Sequence, residues 1–291
     1  LAYLSKEEGK PQLYVRWMDT GQTALVTNVT SSPSNITWSP DGKYIAFTMS
    51  VDAKEKPLDV KMPKKPDGAK WSPSFQYITK ARYQADGRGV LEPAYTHIFV
   101  VPAEGGTARQ LTSGNYHHNG RLSFSPDGNK IYFSANRSDN WEYEPVEGDI
   151  FSVDMMGNIA QLTSDKGLES SPVVSPDGKH IAYARRDDEK VMYKNSYLYV
   201  MKSDGTDAQN LTKDIDNSVS NFHWKNNKHI YFQQSVRGLA QVDVVSLSGK
   251  VKTVASGLGG TTLGRPYVFG TYHAVGDVVA YTKGRTDRPA R

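Results

Sequence analysis

The sequence predicts an all-β fold, a β-propeller of four-stranded antiparallel blades, on three observations. The tetrapeptide Ser-Pro-Asp-Gly occurs in WSPDGKYIAF (Trp38 to Phe47), FSPDGNKIYF (Phe124 to Phe133) and VSPDGKHIAY (Val174 to Tyr183). Each copy is followed by a short apolar strand pattern. The unit recurs along the chain, and self-similarity at a period of about 40–50 residues marks repeat architectures such as propellers.

The turn comes first in each unit. Proline sets φ for the second turn position, aspartate suits the third, and glycine takes the left-handed position that follows. This is a hairpin connection between a first and a second strand. Two degenerate copies extend the series: HWKNNKHIYF (His223 to Phe232) and HAVGDVVAY (His273 to Tyr281). In the former, Asn226-Asn227 stand for Asp-Gly, both residues being of the kind that tolerates the left-handed region. A third strand recurs as QLYVRWM from Gln12, HIFVVPA from His97, DIFSVDM from Asp149, YLYVMKS from Tyr197 and QVDVVSL from Gln241. A fourth follows as segments ending at Thr27, Thr112, Thr163, Thr212 and Ala255.

The turns advance from Asp41 to Asp127 (86 residues), then to Asp177 (50), Asn226 (49) and Val275 (49). The long first interval places an excursion at about 51–95, rich in proline and lysine, between the second and third strands of its blade. The expected division is a partial blade at 1–28, blades at 35–112, 121–163, 171–212 and 219–256, a partial blade at 267–284, and the start of a linker at 285–291. Leu1-Ala2-Tyr3 aligns with Ile45-Ala46-Phe47, so the chain is expected to begin inside a blade and to form part of a six- or seven-bladed ring.

Composition narrows the function classes. The 291 residues carry a formal net charge of +4 and no cysteine, which excludes disulfides and thiolate chemistry. No apolar run approaches the 18 or so residues of a membrane span. Lys61, Lys64, Lys65 and Lys70 form the one basic cluster, without a nucleic-acid recognition motif beside it. No Gly-x-Ser-x-Gly nucleophile elbow occurs; the nearest spacing, Gly260 to Gly264 with Thr262 at its centre, lies between blades. The chain alone is therefore expected to hydrolyse no peptide. Adjacent His117-His118 would face opposite sides of a strand and read as loop or surface residues. Neither Asp214-x-Asp216 nor Asp187-Asp188-Glu189 has the ligand count of a calcium loop. No metal or cofactor is implied.

One loop concentrates chemistry. SANRSDNWEYEPVEGD (Ser134 to Asp149) sets Glu142, Glu144 and Glu147 beside Trp141, Tyr143 and Arg137. Carboxylates next to aromatic rings can hold a protonated amine through charge-assisted hydrogen bonds and cation–π contacts. The same composition also suits a solvated inter-strand loop.

The repeats resemble the WD40-like (PD40) repeats shared by TolB-type propellers and by the propellers of prolyl oligopeptidase family serine peptidases. Segments between the turns are more specific. Gly9 to Gln22, Lys65 to Pro73, Tyr83 to Gly89, His97 to Thr112 and Phe133 to Pro145 together resemble acylaminoacyl-peptidase and dipeptidyl-peptidase-like bacterial members of that family. The final TKGRTDRPAR is similar to their connection to the catalytic domain. The resemblance implies a non-catalytic propeller that caps a C-terminal α/β-hydrolase domain and restricts entry to small peptides. In dipeptidyl members a motif Asp-Trp-x-Tyr-Glu-Glu-Glu binds the substrate's free N-terminus. Here Trp141-Glu142-Tyr143-Glu144 matches Trp-x-Tyr-Glu, with Asp139 displaced by one residue and Pro145 in place of the second glutamate. The implied roles are ammonium binding by Glu144, then Glu142, with Tyr143 and Trp141 beside them. Tyr83, Asp86 and Arg88 would line the substrate entrance. A bacterial periplasmic or secreted location goes with this resemblance. A TolB-like module that docks a protein partner stays open as an alternative, as does, further off, a lyase with a metal in the propeller channel.

Overall fold

The structure, a computed structural model, describes residues 1–6, 9–53, 63–72, 78–187, 193–259 and 270–283. Lys61, Thr262 and the expected linker at 285–291 lie outside the described residues. The first sheet is β1 (Ala2–Ser5), β2 (Gln12–Arg16) and β3 (Thr23–Leu25). The second has β4 (Ser34–Trp38) and β5 (Tyr44–Asp52), which a separate two-stranded hairpin, β6 (Gln84–Ala85) and β7 (Gly89–Val90), divides from its other two strands, β8 (Ala94–Pro102) and β9 (Arg109–Gln110). The third is β10 (Ser123–Phe124), β11 (Lys130–Ala135), β12 (Asp149–Asp154) and β13 (Ile159–Gln161). The fourth is β14 (Gly167–Val174), β15 (His180–Asp187), β16 (Tyr197–Lys202) and β17 (Gln209–Asn210). The fifth is β18 (Val219–Asn226), β19 (His229–Val236), β20 (Leu239–Ser246) and β21 (Val251–Leu258), and β22 (Tyr272–Val275) pairs with β23 (Val278–Tyr281). Four sheets are four-stranded antiparallel meanders, and no described strand of the first sheet pairs with the last. The architecture is an all-β propeller whose ring is not closed by strand pairing among the described residues.

The second strand of each four-stranded sheet is apolar on both faces because these sheets are covered on both faces. Ile45 and Phe47 of β5 pack toward the first sheet, whereas Ala46 packs toward the third. Ile131 and Phe133 of β11 meet the second sheet, and Tyr132 meets the fourth. Ile181 and Tyr183 of β15 return to the third sheet, and Ala182 faces the fifth. Ile230 and Phe232 of β19 meet the fourth, and Tyr231 meets β22. The residue facing onward thus alternates Ala, Tyr, Ala, Tyr. Facing surfaces interdigitate as a dense interior requires.

The turns form as expected. Ser39 Oγ donates to Asp41 Oδ1 at 2.7 Å and accepts Tyr44 N–H at 2.9 Å, while Asp41 Oδ1 also accepts Lys43 N–H at 3.1 Å. Gly42 sits at φ 71°, where a Cβ would be strained. Ser125 and Ser175 repeat the bond to Asp127 and Asp177. The serine hydroxyl holds all three aspartates below the ordinary carboxylate range.

Three expectations are corrected. Asn226 and Asn227 do not adopt positive φ; Asn226 Oδ1 instead accepts Lys228 N–H at 2.9 Å, closing the turn by side chain. The excursion expected at 51–95 is shorter, because β5 and β8 stay paired out to Asp52↔Ala94. The fourth strands stop before their terminal threonines. Thr27, Thr112, Thr163 and Thr212 each use the side-chain hydroxyl to accept a third-strand N–H, from Leu13, Ile98, Ile150 and Leu198, at 2.9 Å in every case. A hydroxyl there completes the ladder while the backbone turns away, satisfying a donor that is buried.

Connections between first and second strands therefore lie at one end of the blades. Connections between second and third strands, and from one blade to the next, lie at the other. Phe133→Ala should lower unfolding free energy by about 3–5 kcal/mol through lost burial and a residual cavity, since Phe133 is fully buried against Phe151 and His118. Tyr143→Ala, at a side chain 77% exposed, should change it by less than about 0.5 kcal/mol; urea titration of both variants measures the contrast.

Candidate functional site

The end of the propeller away from the Ser-Pro-Asp-Gly turns gathers the polar chemistry. The loop joining β11 to β12 is shaped by Asn136, whose Oδ1 accepts Ser138 N–H at 3.1 Å and Ser138 O–H at 2.9 Å. Asn136 Nδ2 donates to the Glu144 carbonyl at 2.8 Å, which folds the loop back. Successive turns at 138–141, 140–143 and 144–147 complete it. Trp141 is thereby presented edge-on to His117 (5.4 Å between centroids) and to Tyr95 (6.3 Å).

Lys80, from the excursion, enters this aromatic corner. Its Nζ lies 2.5 Å from Glu142 Oε1, 5.7 Å from the Tyr95 ring and 5.8 Å from the Trp141 ring. Glu142 Oε2 accepts Ala81 N–H at 3.2 Å. Burial alone would push the Glu142 carboxyl up, but the Lys80 and Ala81 bonds outweigh it and leave it below the ordinary value. The bond to Glu142 raises the Lys80 ammonium.

The expected site residues divide into two groups. Trp141 and Glu142 build the corner. Tyr143 and Glu144 are exposed, Glu144 Oε2 making one long contact of 3.4 Å with Ser138 Oγ. Tyr83, Asp86 and Arg88 belong to the exposed hairpin of β6 and β7, and among the described residues their side chains make no hydrogen bond, ion pair or ring contact with the corner. Two clefts share Trp141 as a wall. One, of about 180 Å³, is bordered by His117, Asn136, Glu147 and Leu168; the other, of about 360 Å³, by Lys80, Tyr116, Asp139 and Tyr143.

The expectation that His117-His118 sit at the surface is corrected. They diverge as adjacent residues do, but His118 is fully buried, 5.3 Å from His97 between ring centroids. Arg137 Nη1 lies 2.7 Å from His118 Nε2, which makes that nitrogen the acceptor and puts the proton on Nδ1. Burial, reinforced by neighbouring positive charge, pushes His118 down to about 3 and His97 to about 4. The buried pair is neutral at physiological pH and forms the floor beneath His117.

Sequence reasoning missed Lys80, Tyr95 and Glu169. Lys80 and Tyr95 join Trp141 only through tertiary structure. Glu169 is a fully buried carboxylate 3.4 Å from Arg185 Nε, at ion-pair distance but without hydrogen-bond geometry on either oxygen. Counting back from the turn would pair Glu169 with Arg186; a bulge at Ser171, with φ 56°, shifts the partner to Arg185. Arg185 also binds Asp165 and Asp187, and Glu147 Oε2 accepts Gly167 N–H at 3.2 Å nearby. Among the described residues no group of acidic and histidine side chains has the arrangement of a metal site.

Burial drives Glu169 up to about 7, Arg185 opposing and Asp149, Asp165 and Glu147 adding. A carboxyl raised in the folded state favours folding most below its ordinary value of about 4.5, and that contribution is lost as pH rises through about 7. Glu169→Gln should therefore be more stable than the parent at pH 8, by roughly 3 kcal/mol at about 1.4 kcal/mol per pKa unit. The two stabilities should converge toward pH 4; urea melts across that range check the sign, and Asp149, raised to about 6 by burial, remains in both proteins.

Residues 70–182 match the family model described as the dipeptidyl peptidase IV N-terminal region. An uncharacterized peptidase, YuxL, of Bacillus subtilis is 33% identical over 137 residues, covering 47% of this chain and 20% of the relative. Dipeptidyl-peptidase 5 of Porphyromonas endodontalis is 24% identical over 195 residues, covering 63% of this chain and 27% of the relative. The chain thus spans a fifth to about a quarter of the length of these relatives. The Pyrococcus horikoshii acylaminoacyl peptidase superposes with a TM-score of 0.71 at 16% identity, over 99% of this chain and 40% of that one. At that identity the superposition speaks to the fold.

Proposed function

We propose that this chain, a β-propeller of the kind carried by prolyl oligopeptidase family serine peptidases, serves as the non-catalytic half of such an enzyme. It gates the access of small peptides to an α/β-hydrolase domain of the same protein and holds the substrate's free N-terminus. One observation carries the reading: the stretch matching the dipeptidyl peptidase IV N-terminal region, residues 70–182, is the stretch that supplies Lys80, Tyr95, His117, Trp141 and Glu142. The long excursion leaves the blade beside these residues, and excursions on a rigid repeat scaffold serve an interface or a gate more than the blade's own pairing. A periplasmic or secreted location accompanies this reading, because the resemblance carries it.

In this scheme the exposed Glu144 carboxylate and the Trp141 wall meet the incoming ammonium, and Tyr143 offers a second ring. The hairpin bearing Tyr83, Asp86 and Arg88 borders the entrance. The catalytic serine, its base and its oxyanion donors belong to the hydrolase domain, so the propeller contributes selection and positioning.

Two measurements on the intact peptidase test this. A charge-assisted bond contributes about 1.5–3 kcal/mol, so Glu144→Gln should lower kcat/KM for a free-amine peptide roughly 10–150-fold and leave its N-acetylated twin unchanged. Equal effects on both peptides, or none, would remove Glu144 from the site. Replacing residues 55–92 by a short glycine linker should keep the β-rich circular dichroism spectrum and raise cleavage of longer peptides relative to short ones. Unaltered size selection would discard the gate.

A further inference from the structure

Glu142 is held in a way that calls for a cation. Its side chain is only 15% exposed, yet both oxygens are engaged by groups of the excursion, Lys80 Nζ and Ala81 N–H. Burying a carboxylate is costly without a charged partner, so the pocket is built around an ammonium. Tyr95 and Trp141 turn toward the same point, 5.7 and 5.8 Å from the nitrogen, in the arrangement that binds ammonium ions through the negative faces of rings. Tyr95 is buried and Trp141 is braced by His117, so the walls are part of the blade and stand whether or not Lys80 is present.

The occupant is less firmly attached than the walls. Lys80 keeps 39% of its side-chain surface in solvent. Among the described residues, 78–82 are tied by the two bonds to Glu142 and by a polar contact of the Lys80 ammonium with the Tyr95 side chain. Ile78 and Tyr83 on either side are 50% and 42% exposed. A partly exposed ion pair is a weak tether, and a tethered group competes with free ligand at an effective concentration in the millimolar range.

We propose that Trp141, Tyr95 and Glu142 form a binding site for primary ammonium groups that Lys80 occupies in cis, so that an incoming amine displaces Lys80 and releases the strap at 78–83. The substrate's N-terminus as the natural displacing amine rests on the peptide-binding reading above; the ammonium site itself does not. The strap then opens in response to the chemical group that the enzyme selects. Both a peptide α-ammonium and a lysine side chain carry that group.

The 291-residue chain suffices for the test. The Trp141 indole N–H resonance, assigned by its loss in Trp141→Phe, is followed during titration with n-butylammonium chloride, with n-butanol as the uncharged control. Lys80→Met should bind n-butylammonium at least tenfold more tightly than the parent, and Lys80→Met/Glu142→Gln should lose at least that factor. Unmoved indole resonances of Trp38 and Trp224 certify the fold, and Lys80→Gln repeats the measurement with a polar replacement. Alanylalanine amide and Nα-acetyl-lysine amide then separate the two natural sources. Equal affinities in parent and Lys80→Met, no amine-dependent shift in Lys80→Met, or binding that survives Glu142→Gln would each overturn the proposal. Failure here leaves the gate standing if the 55–92 deletion alters size selection. Amine binding with size selection unaltered retains the ammonium site and discards the gate.

Discussion

Two-sided burial of the second strand in each four-stranded sheet is the constraint from which the rest follows. A strand buried on both faces has no polar side to mark its register, so a one-residue slip would cost the packing against both neighbouring sheets at once. The alternation of Ala46, Tyr132, Ala182 and Tyr231 matches a bulky onward face to a small one in the next gap. The turn locks the register from one end, where Ser39, Ser125 and Ser175 tie each aspartate. The threonine hydroxyls on the outer strands lock it from the edge. With both devices in place, the other end of every blade is free to carry loops of any length.

That freedom explains the site's electrostatics. Loops from different blades converge where no ladder neutralises them, so charge is balanced by tertiary partners. Lys80 meets Glu142, Arg137 meets the ring nitrogen of His118, and Arg185 meets Asp165, Asp187 and Glu169. Of these, Glu169 is the least well compensated, because the bulge at Ser171 delivers Arg185 to the right distance but the wrong angle. Each cation also rests on an aromatic ring: Lys80 on Tyr95, Arg137 on Tyr116, Arg185 on Tyr199. The tyrosine content that suits β-structure therefore doubles as a cation-holding surface.

The fold was legible because its determinants are local. A Ser-Pro-Asp-Gly turn and the residues after it state their own conformation, and the spacing supplies the repeat. What stayed hidden was set by contacts across blades or by side chains standing in for backbone. The threonines read as strand because a hydroxyl accepting an N–H leaves no mark on hydrophobic periodicity. Trp141 and Glu142 were legible as a carboxylate beside an aromatic ring, but not that Lys80, 62 positions away from Glu142, lies between them. His118 looked like a loop residue because nothing in HH beside a turn announces a buried floor of His97 and Phe133. Positive φ at Asn35, Ser171 and Asn221 recurs in the first strands, yet no glycine or Asn-Gly pair flags it at Ser171.

The separation of turns from loops gives the molecule a handle. The residues after each Ser-Pro-Asp-Gly turn sit about 20 Å from the chemistry, since β11 runs six residues from Lys130 to Ala135 at ~3.3 Å each. Lys43, with 75% of its side chain in solvent, projects from that far end. The sequence contains no cysteine, so one placed at such a position is chemically unique. A dye, a surface anchor or a pulling linker attached there would grip the domain by the turn end of its blades and leave the opposite rim uncovered.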